Sequence, residues 1–165
     1  MADLTGKVAL ITGASRGIGQ AISLILGKNG ATVIGTATSE SGADAISKTF
    51  QANNISGKGF ALNVTENDQI ENLMNSISDE FGSVDILVNN AGITRDNLLM
   101  RMKDDEWNDI MNTNLASVYK MSKAVLRGMM KKKSGRIISI ASVVGAMGNA
   151  GQTNYSAAKA GIMGF

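Results

Sequence analysis

The chain has 165 residues, 18% of them charged, and a net charge of +2. That is enough for one domain with a buried core, and too weak a basic balance for nucleic acid as the main partner. It contains no cysteine and no histidine, which excludes disulfides, thiolate or imidazole metal sites, cysteine nucleophiles and Ser-His-Asp chemistry.

The first six residues lack a basic region followed by an apolar one, and no apolar run of about 18 residues follows. The expectation is a soluble, cytoplasmic chain with no membrane partner and no metal. Residues 7–12 (KVALIT) read as a strand buried on both faces, running into Gly13-Ala14-Ser15-Arg16-Gly17-Ile18-Gly19. A helical pattern continues through Ile22, Ile25 and Leu26, and Asn29-Gly30 ends it. Residues 32–36 (TVIGT) form the second strand of a βαβ unit of about 30 residues.

Glycines between a first strand and its helix let backbone approach a dinucleotide pyrophosphate, which the free N–H groups of the helix start attract. The spacing of Gly13, Gly17 and Gly19 differs from the common G-x-G-x-x-G, so an ordinary glycine-rich turn is the alternative. An NAD site calls for a carboxylate at the end of the second strand. Here Ala37-Thr38-Ser39 stands instead, with Glu40 already in the following turn. Arg16 and Thr38 are therefore assigned to a 2′-phosphate, giving NADP(H), against the alternative of a solvated loop arginine.

A helix over residues 43–53 and a weak strand over 59–62 lead to Asn63 and Val64, where a turn asparagine competes with a ligand contact. Residues 68–81 place Ile70, Leu73, Met74, Ile77 and Phe81 at helical spacing. A fourth strand, 84–88, opens onto Asn89-Asn90-Ala91-Gly92. These small residues let backbone lie against a flat ligand while the carboxamides tie down neighbouring strands, with a plain turn as the alternative. Residues 94–103 read as a loop with a short turn, and 106–131 as one long helix with Asn114 inside its apolar series, where it needs a partner. Lys131, Lys132 and Lys133 close that helix, as a solvated cap or a docking patch, and Gly135 stops it. The fifth strand is read over 136–142 and a small-residue loop over 143–154. The whole is a doubly wound parallel α/β sheet of Rossmann type. Gly13, Asn63, Asn90 and Ser142 all fall at its strand ends, where ligands bind.

Tyr155 and Lys159 stand four apart on one helix face, thirteen residues beyond Ser142. An ammonium beside a phenol stabilises the phenolate and eases proton exchange near neutral pH. A serine hydroxyl can hold an oxygen on which charge develops. A second such pair, Tyr119 and Lys123, lies in the long helix without a strand-end serine before it, and Tyr119 reads as a packing residue with a wet hydroxyl.

Together, residues 12–19 (TGASRGIG), residues 89–92 (NNAG), Asn114, Ser142 and Tyr155–Lys159 resemble the short-chain dehydrogenase/reductase family. Residues 35–40, 62–65, 84–105 and 142–148 bring the resemblance nearer to its bacterial 3-oxoacyl-[acyl-carrier-protein] reductases of type II fatty acid synthesis. The resemblance implies a homotetramer that uses NADPH to reduce a 3-oxoacyl thioester carried by acidic acyl carrier protein. It implies that Tyr155 protonates the carbonyl oxygen, Lys159 assists it and binds nicotinamide ribose, and Ser142 holds the substrate oxygen. Asn114 would anchor a water leading protons to Lys159. Gly13, Ser15, Arg16, Gly17, Ile18 and Gly19 would cradle phosphates, and Asn63, Val64, Asn90, Ala91 and Gly92 would line adenine and ribose. Lys133 stands where the family has an arginine for carrier docking, keeping the charge without the bidentate fork.

The sequence stops at Phe165, six residues past Lys159 and well short of the family's length. Residues 1–165 are therefore expected to be a single NADP-binding domain incomplete at its carboxyl end. Ile137, Ile138 and Ile140 suggest a central strand with faces to cover, and the helix near Tyr155 is expected to end before three turns. Reduction of another ketone, oxidation of an alcohol, and cofactor binding without turnover are the competing readings.

Overall fold

The computed structural model describes residues 3–165; Met1 and Ala2, part of the stretch read for a leader, lie outside them. Five parallel strands form one sheet in the order β3-β2-β1-β4-β5. They are β1 (Val8–Ile11), β2 (Thr32–Ala37), β3 (Gly57–Ala61), β4 (Ile86–Asn89) and β5 (Arg136–Ser139). The helices between them are α1 (Gly17–Lys28), α2 (Glu40–Ala52), α3 (Asn67–Phe81), α4 (Asp104–Ile110) and α5 (Ser117–Lys132). Two more follow β5: α6 (Val143–Met147) and α7 (Thr153–Gly164). This is the doubly wound sheet expected, and no helix among the described residues is long and apolar enough to cross a membrane.

The period-two alternation of β1 builds both layers. Val8 and Leu10 face one core with Ile70, Leu73 and Ile77 of α3 and Met121, Val125 and Met129 of α5. Ala9 and Ile11 face the other, with Ile46 and Phe50 of α2. All four residues of β1 are buried, each large one contributing about 1.5–3 kcal/mol relative to exposure. Ile11 is matched to Gly35 on one side and Val88 on the other. The chain thus reverses its direction of growth at β1, between β2 and β4, and an open sheet of this kind leaves a crevice at that point.

Several expectations change in detail. Helix α2 starts at Glu40, not Ala43, because Ser39 caps it by accepting from the Gly42 N–H at 3.1 Å. The long helix is interrupted: a π-helical segment, Met111–Ala116, joins α4 to α5. Helix α5 ends at Lys133, which takes the left-handed conformation (φ 54°) usually left to glycine, two residues before Gly135. Strand β5 ends at Ser139 rather than Ser142, and the expected loop after it contains α6. Helix α7 has 12 residues, at 3.6 per turn just over the three turns it was expected to miss. Strand β5 lies at the sheet edge with Ile137 and Ile138 exposed, the uncovered faces that its apolar residues suggested.

Lys132 is not a free member of its lysine run. Its ammonium pairs with Asp85 at 2.9 Å and donates to the Ser83 carbonyl at 3.1 Å. Burial pulls the Asp85 carboxyl up, but hydrogen bonds from Lys132 and the Val8 N–H, with the charges of Lys132 and Lys7, outweigh it and hold it below the ordinary range.

Candidate active site

The floor of the crevice is a reciprocal lock between the ends of β1 and β4. The Thr12 hydroxyl accepts from the N–H groups of Asn90 and Ala91, both at 3.0 Å. The Asn90 carboxamide returns hydrogen bonds to the carbonyls of Thr12 at 2.9 Å and Gly13 at 3.0 Å. Gly13 has φ 68° and a Cβ there would lie 3.1 Å from Ala91 Cα, so both conformation and space demand glycine. A Cβ on Gly19 would run into the Gly13 carbonyl and stand 2.5 Å from the Asn90 amide nitrogen. Gly19 packs α1 down onto this floor.

Above the floor lies a cavity of about 610 Å³. Gly13, Ser15, Arg16, Gly17 and Ile18 line it from the glycine loop, Thr38 from the end of β2, and Asn63 and Val64 from the end of β3. Asn90, Ala91 and Gly92 line it after β4. One enclosure thus collects all the residues expected at a cofactor except Gly19, which lies beneath it, and Tyr155 and Lys159. Thr36, Ile93 and Thr113 also line it without having been anticipated. Thr36 accepts from the Gly13 N–H at 3.4 Å.

Helix α1 starts at the cavity with no side-chain cap and no acid in its first turn. Its unsatisfied N–H groups and positive dipole end therefore remain available to an anion. Arg16 is exposed and makes no ion pair among the described residues. Thr38 is also exposed, whereas Ser39 is engaged as the cap of α2. Asn63 serves as the turn asparagine that was its alternative reading, accepting from the Thr65 N–H at 3.1 Å and hydroxyl at 2.9 Å, and still lines the cavity.

The proton-handling candidates gather on α7 and the elements beside it. Lys159 is 5% exposed, and its ammonium donates to the Ile140 carbonyl at 2.7 Å while lying 5.7 Å from the Tyr155 ring centre. Burial pushes the Lys159 ammonium below the ordinary lysine range. Ser142 is half-buried, and its hydroxyl caps α6 by accepting from the Val144 N–H at 3.2 Å. Asn114 sits in the π segment, 1% exposed. Its carboxamide grips one residue on both sides, accepting from the Ile93 N–H and donating to the Ile93 carbonyl, both at 2.8 Å. The partner that the apolar series required is the irregular backbone just after Gly92, and no direct bond links the Asn114 side chain to Lys159.

The second tyrosine pair is also formed. Lys123 donates to the Tyr119 hydroxyl at 3.3 Å, but Tyr119 is 51% exposed on α5, more open than a packing residue.

Three polar braces hold these elements; the carboxamides at the end of β4 were expected to tie down neighbouring strands, whereas the roles of Thr12 and Asn154 were not anticipated. Thr12 was read as the end of a strand and the head of the glycine motif, without a hydrogen-bonding role. Asn89, buried in β4, donates to Ser122 and Ser139, each at 3.3 Å, tying β4 to α5 and β5. Asn154 is fully buried just before Tyr155. Each is a polar residue embedded in an apolar or tightly packed context, the one signal that could have singled it out.

Glycine loop, reversal point and helix-borne Tyr–Lys pair stand on one Rossmann-type fold, and residues 7–165 match the short chain dehydrogenase family, to which the chain belongs. Within that family it is 70% identical over 163 residues to the 3-oxoacyl-[acyl-carrier-protein] reductase FabG of Vibrio harveyi. It is 68% identical to the reductase of the same name from Escherichia coli K12 and 64% identical to that of Pseudomonas aeruginosa. Each alignment takes in 99% of this chain and 66% of the relative, so the chain spans just under two thirds of their length.

Proposed function

We propose that the protein reduces the 3-oxo group of acyl chains carried on acyl carrier protein, using NADPH and giving the (3R)-3-hydroxyacyl thioester for fatty acid synthesis. The observation that carries this reading is one cavity joining the glycine loop, an Arg16 with no ion pair among the described residues and a β2 end without a carboxylate. The high identity to the reductases named above supports the substrate class. The cavity fits a dinucleotide because Gly13 and Gly19 leave no Cβ in its floor and α1 offers uncapped N–H groups to a pyrophosphate.

In this reading residues 1–165 form one NADP-binding domain. Arg16 and Thr38 hold the 2′-phosphate, the former through a permanently charged fork. Ser15, Gly17 and Ile18 cradle the pyrophosphate. Asn63, Val64, Asn90, Ala91 and Gly92 line adenine and ribose. NADPH, when bound, supplies the hydride. Ser142 orients the substrate carbonyl oxygen, and Tyr155 donates the proton that converts this oxygen to a hydroxyl. Lys159, held at the Ile140 carbonyl, binds ribose hydroxyls and keeps positive charge beside the phenol. Asn114 anchors a proton-conducting water near Lys159. With Lys132 tied to Asp85, Lys131 and Lys133 are the lysines of the run that meet the acidic carrier. The working form is a cytoplasmic homotetramer.

The decisive experiment follows NADPH consumption with acetoacetyl-acyl carrier protein beside an NADH control. Rapid loss of NADPH with little loss of NADH is expected. Equal turnover of the two cofactors would overturn the NADP assignment, and NADPH binding without turnover would overturn the substrate.

A further inference from the structure

We infer that Asn154 is a positioning residue for Tyr155, fixing the start of α7 to the loop that follows the cofactor-lining residues 90–92. This rests on the functional reading above. Asn154 has 0% exposure, and its carboxamide is fully engaged. Its oxygen accepts from the Tyr155 N–H at 2.8 Å. Its nitrogen donates to the Arg95 carbonyl at 2.9 Å and to the Glu106 carbonyl of α4 at 3.2 Å.

The geometry explains why a carboxamide is needed. Tyr155 is the third residue of α7, so its N–H lies among those that no earlier turn of the helix satisfies. The capping residue, Gln152, makes no side-chain cap; its amide is directed instead to Asp96, at 3.0 and 3.1 Å. Asn154 supplies the missing acceptor, and its two donor hydrogens meet carbonyls from two other elements. Aspartate has the same shape and keeps the acceptor but cannot make both donations. Alanine strands one buried N–H and two carbonyls.

The linkage has a far end. Two residues before Arg95, Ile93 is gripped on both its N–H and its carbonyl by Asn114. The backbone from 93 to 95 is therefore pinned by two buried carboxamides, one in the π segment and one next to Tyr155. The Asn97 N–H adds a bond to the Gly151 carbonyl at 2.9 Å. Tyr155 takes its place from this frame, since a misplacement of about 1 Å can cost about 100-fold in rate.

The test compares the full chain with Asn154→Asp and Asn154→Ala, reading NADPH affinity, kcat, KM and the exchange rate of the Tyr155 amide hydrogen. Both substitutions should lower kcat by about 10–100-fold with NADPH affinity and KM little changed, and the Tyr155 amide should exchange faster in the alanine variant than in the aspartate one. Unchanged kcat in a folded variant overturns the inference, as does a parallel loss of kcat and NADPH affinity, which marks general loosening. Should neither variant fold, the unaltered chain still decides: a Tyr155 amide exchanging as slowly as those in the middle of α7 supports the brace, and rapid exchange overturns it. An unaltered chain that neither binds NADPH nor reduces the thioester defeats the functional reading itself, and the inference falls with it. A working parent with an indifferent Asn154→Ala defeats the inference alone.

Discussion

Thr12 and Asn90 hold each other across the mouth of the sheet, side chain to backbone in both directions. The lock closes the gap between β1 and β4 at the point where the cavity opens, so cofactor affinity and local stability share the same few bonds. Thr12→Val keeps the shape and removes the hydroxyl, leaving the N–H groups of Asn90 and Ala91 without their acceptor. A loss of about 1–3 kcal/mol is expected in urea unfolding, together with weaker NADPH binding by fluorescence titration.

Gly19→Ala tests the packing of α1. The new methyl would meet the Gly13 carbonyl and the Asn90 amide, backbone and a bonded side chain that cannot turn aside. The expected cost is about 1–3 kcal/mol, with NADPH affinity lost by a larger factor than stability implies because α1 is displaced from the phosphates. A variant that binds NADPH normally would show that the floor yields.

Arg16→Ala separates the cofactors. If the guanidinium meets the 2′-phosphate, removing a charge-assisted hydrogen bond weakens NADPH by about 1.5–3 kcal/mol and leaves NADH binding almost untouched. Calorimetric titration with each nucleotide measures both. Equal weakening of the two would place Arg16 at the shared pyrophosphate instead.

The end of α5 offers a stabilising change. Lys133 adopts a left-handed backbone at φ 54°, a conformation that costs a side-chain-bearing residue about 1–2 kcal/mol, partly offset by glycine's greater freedom when unfolded. Lys133→Gly should raise stability by about 0.5–1 kcal/mol, read as a higher urea midpoint at constant slope. The same variant should bind acyl carrier protein more weakly if the lysine contacts it.

Burial of Lys159 gives stability a sign with pH. Because its folded value lies below the ordinary 10.5, the unfolded chain binds the proton more tightly across the window between them. Unfolding there takes up a proton, so raising the pH through that window favours the folded state. The unaltered chain should gain stability relative to Lys159→Met as pH climbs toward 10.5, in paired denaturation curves. A constant difference would mean that Lys159 titrates alike in both states.

Much of this was legible because apolar runs and glycine spacing are local. The strands, their parallel arrangement and the residues lining the cavity follow from short motifs whose order along the chain becomes their order around the crevice. The π segment was not legible, since the apolar positions of α4 and α5 continue through it and only Asn114 interrupts them. The termination of α5 was misread because Gly135 is the obvious stop, whereas Lys133 turns the chain first. Helix α6 is five residues of small and apolar type, too short to show a period. Asn154 escaped because its partners, Arg95 and Glu106, lie 59 and 48 residues away, and no local pattern announces a long-range hydrogen bond.

The π segment also marks the one place in this long helix where a residue can be lost without turning one end against the other. A π turn holds a surplus residue inside otherwise α-helical winding, here across Met111–Ala116. Deleting one residue of the six lets the winding relax to α while α4 and α5 on either side stay nearly in phase, because the wide turn spends its extra residue on the same sweep. Only side chains inside the segment change their aim, and those include Asn114, which grips Ile93, and Leu115, which fills the space that Gly161 leaves for it on α7. Among sequences of this family, a single deletion here should therefore go with loss of the Asn114 carboxamide and its grip on Ile93, while the packing of α4 and α5 is kept.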